Sequence, residues 1–104
     1  MVIQFNTDNN IAGSERLNAY FTGVITDALS RFGSQITRIE VHLTDENGSK
    51  ETRNDQRCML EAKLEGLKPI AVTNNADTLE QAVKGAIDKL KASLETTLGR
   101  LKTY

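Results

Sequence analysis

The chain has 104 residues, 38% apolar and 26% charged, which suits one globular domain spanning residues 1–104 with a single two-layer core. Thirteen Lys and Arg against fourteen Asp and Glu leave a net charge of −1, so the basic balance of most small nucleic-acid binders is missing. One cysteine, a polar start at Met1 to Asn10 and no apolar run near ~20 residues exclude an internal disulfide, an ordinary signal peptide and a membrane helix. The expected location is the cytoplasm.

Val2 to Asn6 alternates, with Ile3 and Phe5 on one side, and predicts a short half-buried strand. Thr7 to Gly13, rich in Asn, Asp and Gly, predicts a loop. Ser14 as N-cap and Glu15 in the first turn open a predicted helix of about five turns. Its apolar stripe is Leu17, Tyr20, Phe21, Val24, Ile25, Ala28, Leu29 and Phe32, and Gly33 is the expected C′ stop.

Ile36 to Thr44 switches to period two, turning Ile39, Val41 and Leu43 inward and Arg38, Glu40, His42 and Thr44 outward. Asp45 to Gln56 predicts a polar hairpin loop. Arg57 to Glu65 alternates again, with Cys58, Leu60, Ala62 and Leu64 inward. Gly66 to Pro69 predicts a turn, and Ile70 to Thr73 a short edge strand begun by Pro69. Asn74 to Ala76 then leads to Asp77, which with Glu80 forms an expected capping box of the Asp-x-x-Glu kind. The final helix has Leu79, Ala82, Val83, Ala86, Ile87, Leu90, Leu94, Leu98 and Leu101 on its buried stripe.

The order β-α-β-β-β-α favours a crossover with the first two strands parallel, followed by antiparallel hairpins. One apolar face per strand and one stripe per helix predict an α+β two-layer sandwich. Its four-stranded mixed sheet carries both helices on one face, as in double-stranded-RNA-binding domains. Phe5, Leu17, Val24, Val41, Leu60, Val83 and Leu90 are expected in the core.

The sequence offers little for catalysis. His42 falls on an outward strand face, where proton transfer would need an oriented partner in a cleft. Cys58 falls inward and reads as a small hydrophobe rather than a reactive thiol. Asp45-Glu46-Asn47-Gly48 has the wrong spacing and context for an EF-hand calcium loop. Asp8, Asn9, Asn10, Asn74 and Asn75 read as caps and turns. No catalytic residue, metal or cofactor is expected, and no enzyme.

The stretch Gly85-Ala86-Ile87-Asp88-Lys89-Leu90, continued by Leu94 and Leu101-Lys102, resembles the ribosome hibernation-promoting factor and ribosome-associated inhibitor family. It is similar to that family's Ile-Asp-Lys-Leu helix with its basic tail. Ser14-Glu15-x-Leu17, Phe32 and Arg38-Ile39-Glu40-Val41 fit the same pattern, so the resemblance covers nearly the whole chain. It implies a short, single-domain factor that binds rRNA phosphates of the small ribosomal subunit and silences translation in idle or stressed cells. Carried over by position, Lys89, Arg100 and Lys102 are the implied rRNA-binding residues, with Lys84 and Lys91 basic beside them. Val24 and Asp27 stand where the family's first helix carries lysines, and Ala92, Thr96 and Leu98 replace further cations of the second.

On the helical wheel Lys84, Lys91 and Lys102 share one flank of the last stripe, and Lys89 and Arg100 the other. Either flank can track a phosphate backbone. The plainer alternative is a solvated helix whose lysines pair with Asp88 and Glu95 at three- and four-residue spacing. A different function follows from that alternative: a protein-interaction or stress-regulatory module that kept the fold and lost strong RNA binding. The acidic start Asp77-Thr78-Leu79-Glu80 argues against a double-stranded-RNA-binding domain, which meets phosphates with lysines there.

Overall fold

The computed structural model describes residues 1–7, 14–45 and 56–101, and within those the side chains of Ser14, Arg100 and Leu101 lie outside the description. The elements run β1 (Val2–Thr7), α1 (Ser14–Ala28), a 3-10 turn (Ser30–Phe32), β2 (Ile36–Asp45), β3 (Gln56–Leu64), β4 (Ile70–Ala76) and α2 (Leu79–Leu101). The sheet order is β1-β2-β3-β4. β1 pairs parallel with β2, and β2–β3 and β3–β4 are antiparallel. The mixed sheet is the expected one.

Alternation along the central strands fixes the faces. Ile39, Val41 and Leu43 of β2 and Cys58, Leu60, Ala62 and Leu64 of β3 are all buried. They join one cluster with Phe21 and Ile25 of the first helix, Leu29 just after it, and Ala82, Val83, Ala86, Ile87, Leu90 and Leu94 of the second. Both helices therefore cover the same face. A one-residue register slip in β2 would send its three inward side chains to solvent, so the pattern holds the pairing in place.

Several expectations are corrected in detail. The first helix is 15 residues, and a 3-10 turn replaces its predicted last turn. There Phe32 N–H donates to Leu29 O and Gly33 N–H to Ser30 O, tightening the chain so that Phe32 packs into the core. Gly33 is right-handed, so it is no left-handed C′ stop. Ser14 is the first helical residue, and its expected cap contact lies outside the described residues.

β4 extends to Ala76, past its predicted end at Thr73. Asn74 and Asn75 pair with Cys58 and Arg57 of β3 instead of forming a turn. Asparagine disfavours strands, but here the ladder and tertiary contacts override that preference. Asn74 Nδ2 donates to Gln81 O and Ala82 O at 3.4 and 3.3 Å, tying strand to helix. The cap of α2 is Thr78, whose Oγ1 accepts from Gln81 N–H at 3.1 Å, and not the expected Asp77. The capping sequence is Thr78-x-x-Gln81, one residue beyond the predicted box. Among the described glycines Gly66 alone adopts positive φ, at 74°, in the turn after β3, where glycine carries no Cβ penalty.

Of the seven expected core residues, Val41, Leu60, Val83 and Leu90 are fully buried, whereas Phe5, Leu17 and Val24 are half-buried. Phe5 sits on an edge strand with a neighbour on one side only. Leu17 and Val24 sit towards the margin of the α1 stripe. Tyr20, assigned to that stripe, is 49% exposed. The expected caps and turns at Asp8, Asn9 and Asn10, and the expected loop at Glu46, Asn47 and Gly48, fall outside the described residues.

Candidate nucleic-acid interface

The two helices lie side by side and parallel. Tyr20 is within electrostatic reach of Lys84, and eleven residues further along both chains Arg31 bonds Glu95. The groove between them is therefore lined by α1 and the following 3-10 turn on one side and by the Lys84 flank of α2 on the other. The Lys89 flank faces the sheet instead, since Lys89 Nζ donates to Thr73 O on edge strand β4 at 2.8 Å. The described cations of α2, Lys84 and Lys91 on one flank and Lys89 on the other, thus point in two directions.

Each described cation of the expected set has a definite setting. Lys84 pairs with Glu80 at 3.0 Å, one turn back on the same exposed face. The Glu80 carboxylate, by hydrogen bond and then by charge, raises the Lys84 ammonium above its ordinary range. Lys89 is exposed, with its ammonium resting on the β4 carbonyl. Lys91 is half-buried on the Lys84 flank. The backbone of Arg100 is helical, while its side chain and all of Lys102 lie outside the described residues.

Sequence reasoning missed Arg31. Its guanidinium bonds the Glu95 carboxylate and stacks 4.6 Å from the centroid of the Phe32 ring. It bridges the C-terminal end of the α1 arm to α2. Sixty-four residues separate the partners, so no local spacing rule reveals the pair. Beside it a cleft of about 340 Å³ is lined by Arg31, Phe32, Gln35, Glu95, Leu98 and Gly99, a set that holds no nucleophile.

The outer sheet face is organised around Glu40. Like charges stand directly opposite one another across β2 and β3: Glu40 faces Glu61 and Arg38 faces Lys63. The conflict resolves as Glu40 bonds Lys63 diagonally across the strands at 3.2 Å and Arg38 along its own strand at 3.1 Å. His42 Nε2 lies 4.0 Å from the same carboxylate. The Lys63 hydrogen bond, against a smaller cost of desolvation and helped by the charges of Lys63, Arg38 and His42, holds Glu40 below the usual carboxylate range.

Cys58 is fully buried, and burial pushes its thiol up to about 12, so it stays protonated and non-nucleophilic at neutral pH. No group of three or more metal-ligating side chains occurs among the described residues. No helix there is long and apolar enough to cross a membrane.

The family model described as Sigma 54 modulation protein / S30EA ribosomal protein matches residues 3–102. Among solved structures, the N-terminal domain of Protein Y from Thermus thermophilus is similar with a TM-score of 0.67 and 17% identity, covering 93% of this chain and 99% of that one. A ribosomal subunit interface protein from Coxiella burnetii gives the same score and identity over 95% of this chain and 99% of its own. At that identity the likeness speaks for the fold. No curated protein sequence matches significantly.

Proposed function

This chain belongs to the Sigma 54 modulation protein / S30EA ribosomal protein family, and from that premise we propose that it binds the small ribosomal subunit through rRNA phosphates and silences translation in idle or stressed cells. On this reading residues 1–104 act as one ribosome hibernation factor-like domain in the cytoplasm, without catalysis or cofactor. The observation that carries it is the family match over nearly the whole chain. The described fold is consistent with it, since two parallel helices on one sheet face offer a grooved, partly cationic surface.

The residues proposed to meet phosphate are Lys89, Arg100 and Lys102, assisted by Lys84 and Lys91. Lys84 and Lys89 already have internal acceptors in Glu80 and the Thr73 carbonyl. Both contacts are solvent-exposed, one an ion pair and the other an ammonium–carbonyl hydrogen bond, so a phosphate can outcompete them. The same two contacts favour the second reading, an interaction module in which these lysines serve the fold.

Sucrose-gradient sedimentation with idle ribosomes separates the two. The parent chain travels with the small subunit, and the triple variant Lys89→Glu, Arg100→Glu, Lys102→Glu stays at the top of the gradient. Reversal of Arg38 and Lys63 on the outer sheet leaves binding largely intact. Co-sedimentation of the triple variant at the parental level rejects the phosphate contacts and leaves the interaction module.

A further inference from the structure

Tyr20 is the only exposed aromatic among the described residues, since Phe5 is half-buried and Phe21 and Phe32 are buried. Its ring is not loose. It packs at 5.2 Å and 59° against Phe21, which anchors it to the core edge. The two helices adjoin, and Lys84 on the neighbouring one lies within electrostatic reach of the phenol.

Part of the helix surface beside the ring is bare. Ala19 and Gly23, the residues before and one turn after Tyr20, are both exposed and present almost no side chain. A Cβ built on Gly23 would meet nothing within 4 Å. Glycine in a helix interior weakens the helix relative to alanine, and here no close contact requires it. Side chains on a helix lean back over the preceding turn, so a long side chain at position 23 would reach towards Tyr20. The glycine leaves that side of the ring open.

From these observations we infer that Tyr20 is a stacking platform for an unpaired base of single-stranded ribosomal RNA, held open by Gly23, with Lys84 placed for the adjoining phosphate. The inference rests on the ribosome-binding reading and deepens it. It also answers the charge deficit. With net charge −1, phosphate neutralisation is limited. Stacking draws on the π-face of any base and tolerates every sequence. Being uncharged, it releases no counterions.

The test is the affinity of the full chain for isolated small ribosomal subunits, measured at two ionic strengths. Tyr20→Ala weakens binding about 5- to 100-fold, the range expected for loss of one stacked base. It does so without changing the salt slope, whereas loss of a phosphate contact would lower the slope. Tyr20→Phe keeps the ring and the parental affinity. Gly23→Leu raises the unfolding temperature, because leucine is a better helix former, yet weakens binding by covering the ring. That opposition excludes a merely structural explanation. Parental affinity in Tyr20→Ala or in Gly23→Leu overturns the stacking platform while the ribosome reading stands. A parent chain that does not bind the subunit at all overturns the ribosome reading and the platform together.

Discussion

Gly85 lies on the face of α2 that meets β4, and replacing it with alanine reverses the usual effect of that substitution. In an open helix interior, Gly to Ala stabilises by about 1 kcal/mol. Here the new Cβ would lie 2.1 Å from Asn74 Nδ2 and 2.7 Å from its Cγ. The amide must swing away, abandoning its contacts to Gln81 O and Ala82 O. Those two bonds are long and contribute at most about 0.5–1.5 kcal/mol each. Gly85→Ala is therefore expected to range from neutral to about 2 kcal/mol destabilising, the helix gain being offset or exceeded. In an Asn74→Ala background the obstacle is gone, and the same change stabilises by the full ~1 kcal/mol. Urea unfolding of the four proteins measures the coupling, expected at about 1–3 kcal/mol. A gain of ~1 kcal/mol from Gly85→Ala in both backgrounds would refute the reasoning, since it would mean that Asn74 is not docked on the helix.

Two further expectations concern stability. Leu90 is fully buried in the shared core, so Leu90→Ala should cost about 2–5 kcal/mol in chemical denaturation, and a cost under 1 would contradict the packing. Glu40 has a depressed folded-state pKa, so the unfolded chain binds more protons at this site as pH falls. Its contribution is present above the ordinary carboxylate value of 4.5 and is lost as pH drops through the folded value. Glu40→Gln should accordingly flatten the acid limb of the unfolding-temperature profile, and an unchanged acid limb would remove Glu40 from the account.

Period-two alternation in Ile39–Leu43 and Cys58–Leu64 identified the buried sheet face because each inward residue has helices above it. The α2 stripe was equally legible, since Ala82, Val83, Ala86, Ile87, Leu90 and Leu94 face an unbroken core. Reading failed where tertiary contacts decide. Asn74 and Asn75 are strand residues because β3 offers a ladder and α2 offers carbonyls, neither of which a local propensity rule can register. The end of α1 was misread because Gly33 is a strong stop signal on its own, while burial of Phe32 draws the chain into a 3-10 turn first.

The candidate interface was legible only in part. Helical spacing correctly divided Lys84 and Lys91 from Lys89, but it could not say that one flank faces α1 and the other β4. The commitments of Lys84 to Glu80 and of Lys89 to Thr73 O have different origins. The first is an i,i+4 pair visible in the sequence, and the second depends on a strand sixteen residues away. Tyr20 was assigned to the core because tyrosine counts as apolar in a stripe, although its hydroxyl makes it suited to a margin. Arg31 left no trace, because its partner belongs to the far end of the chain.

Binding of the small ribosomal subunit as a function of salt tests the central claim most directly. With three to five phosphate contacts, raising salt from ~50 to ~200 mM should lower affinity on the order of ten- to a few hundred-fold. Affinity that does not change over that range would contradict rRNA phosphate recognition and identify docking on a protein surface instead.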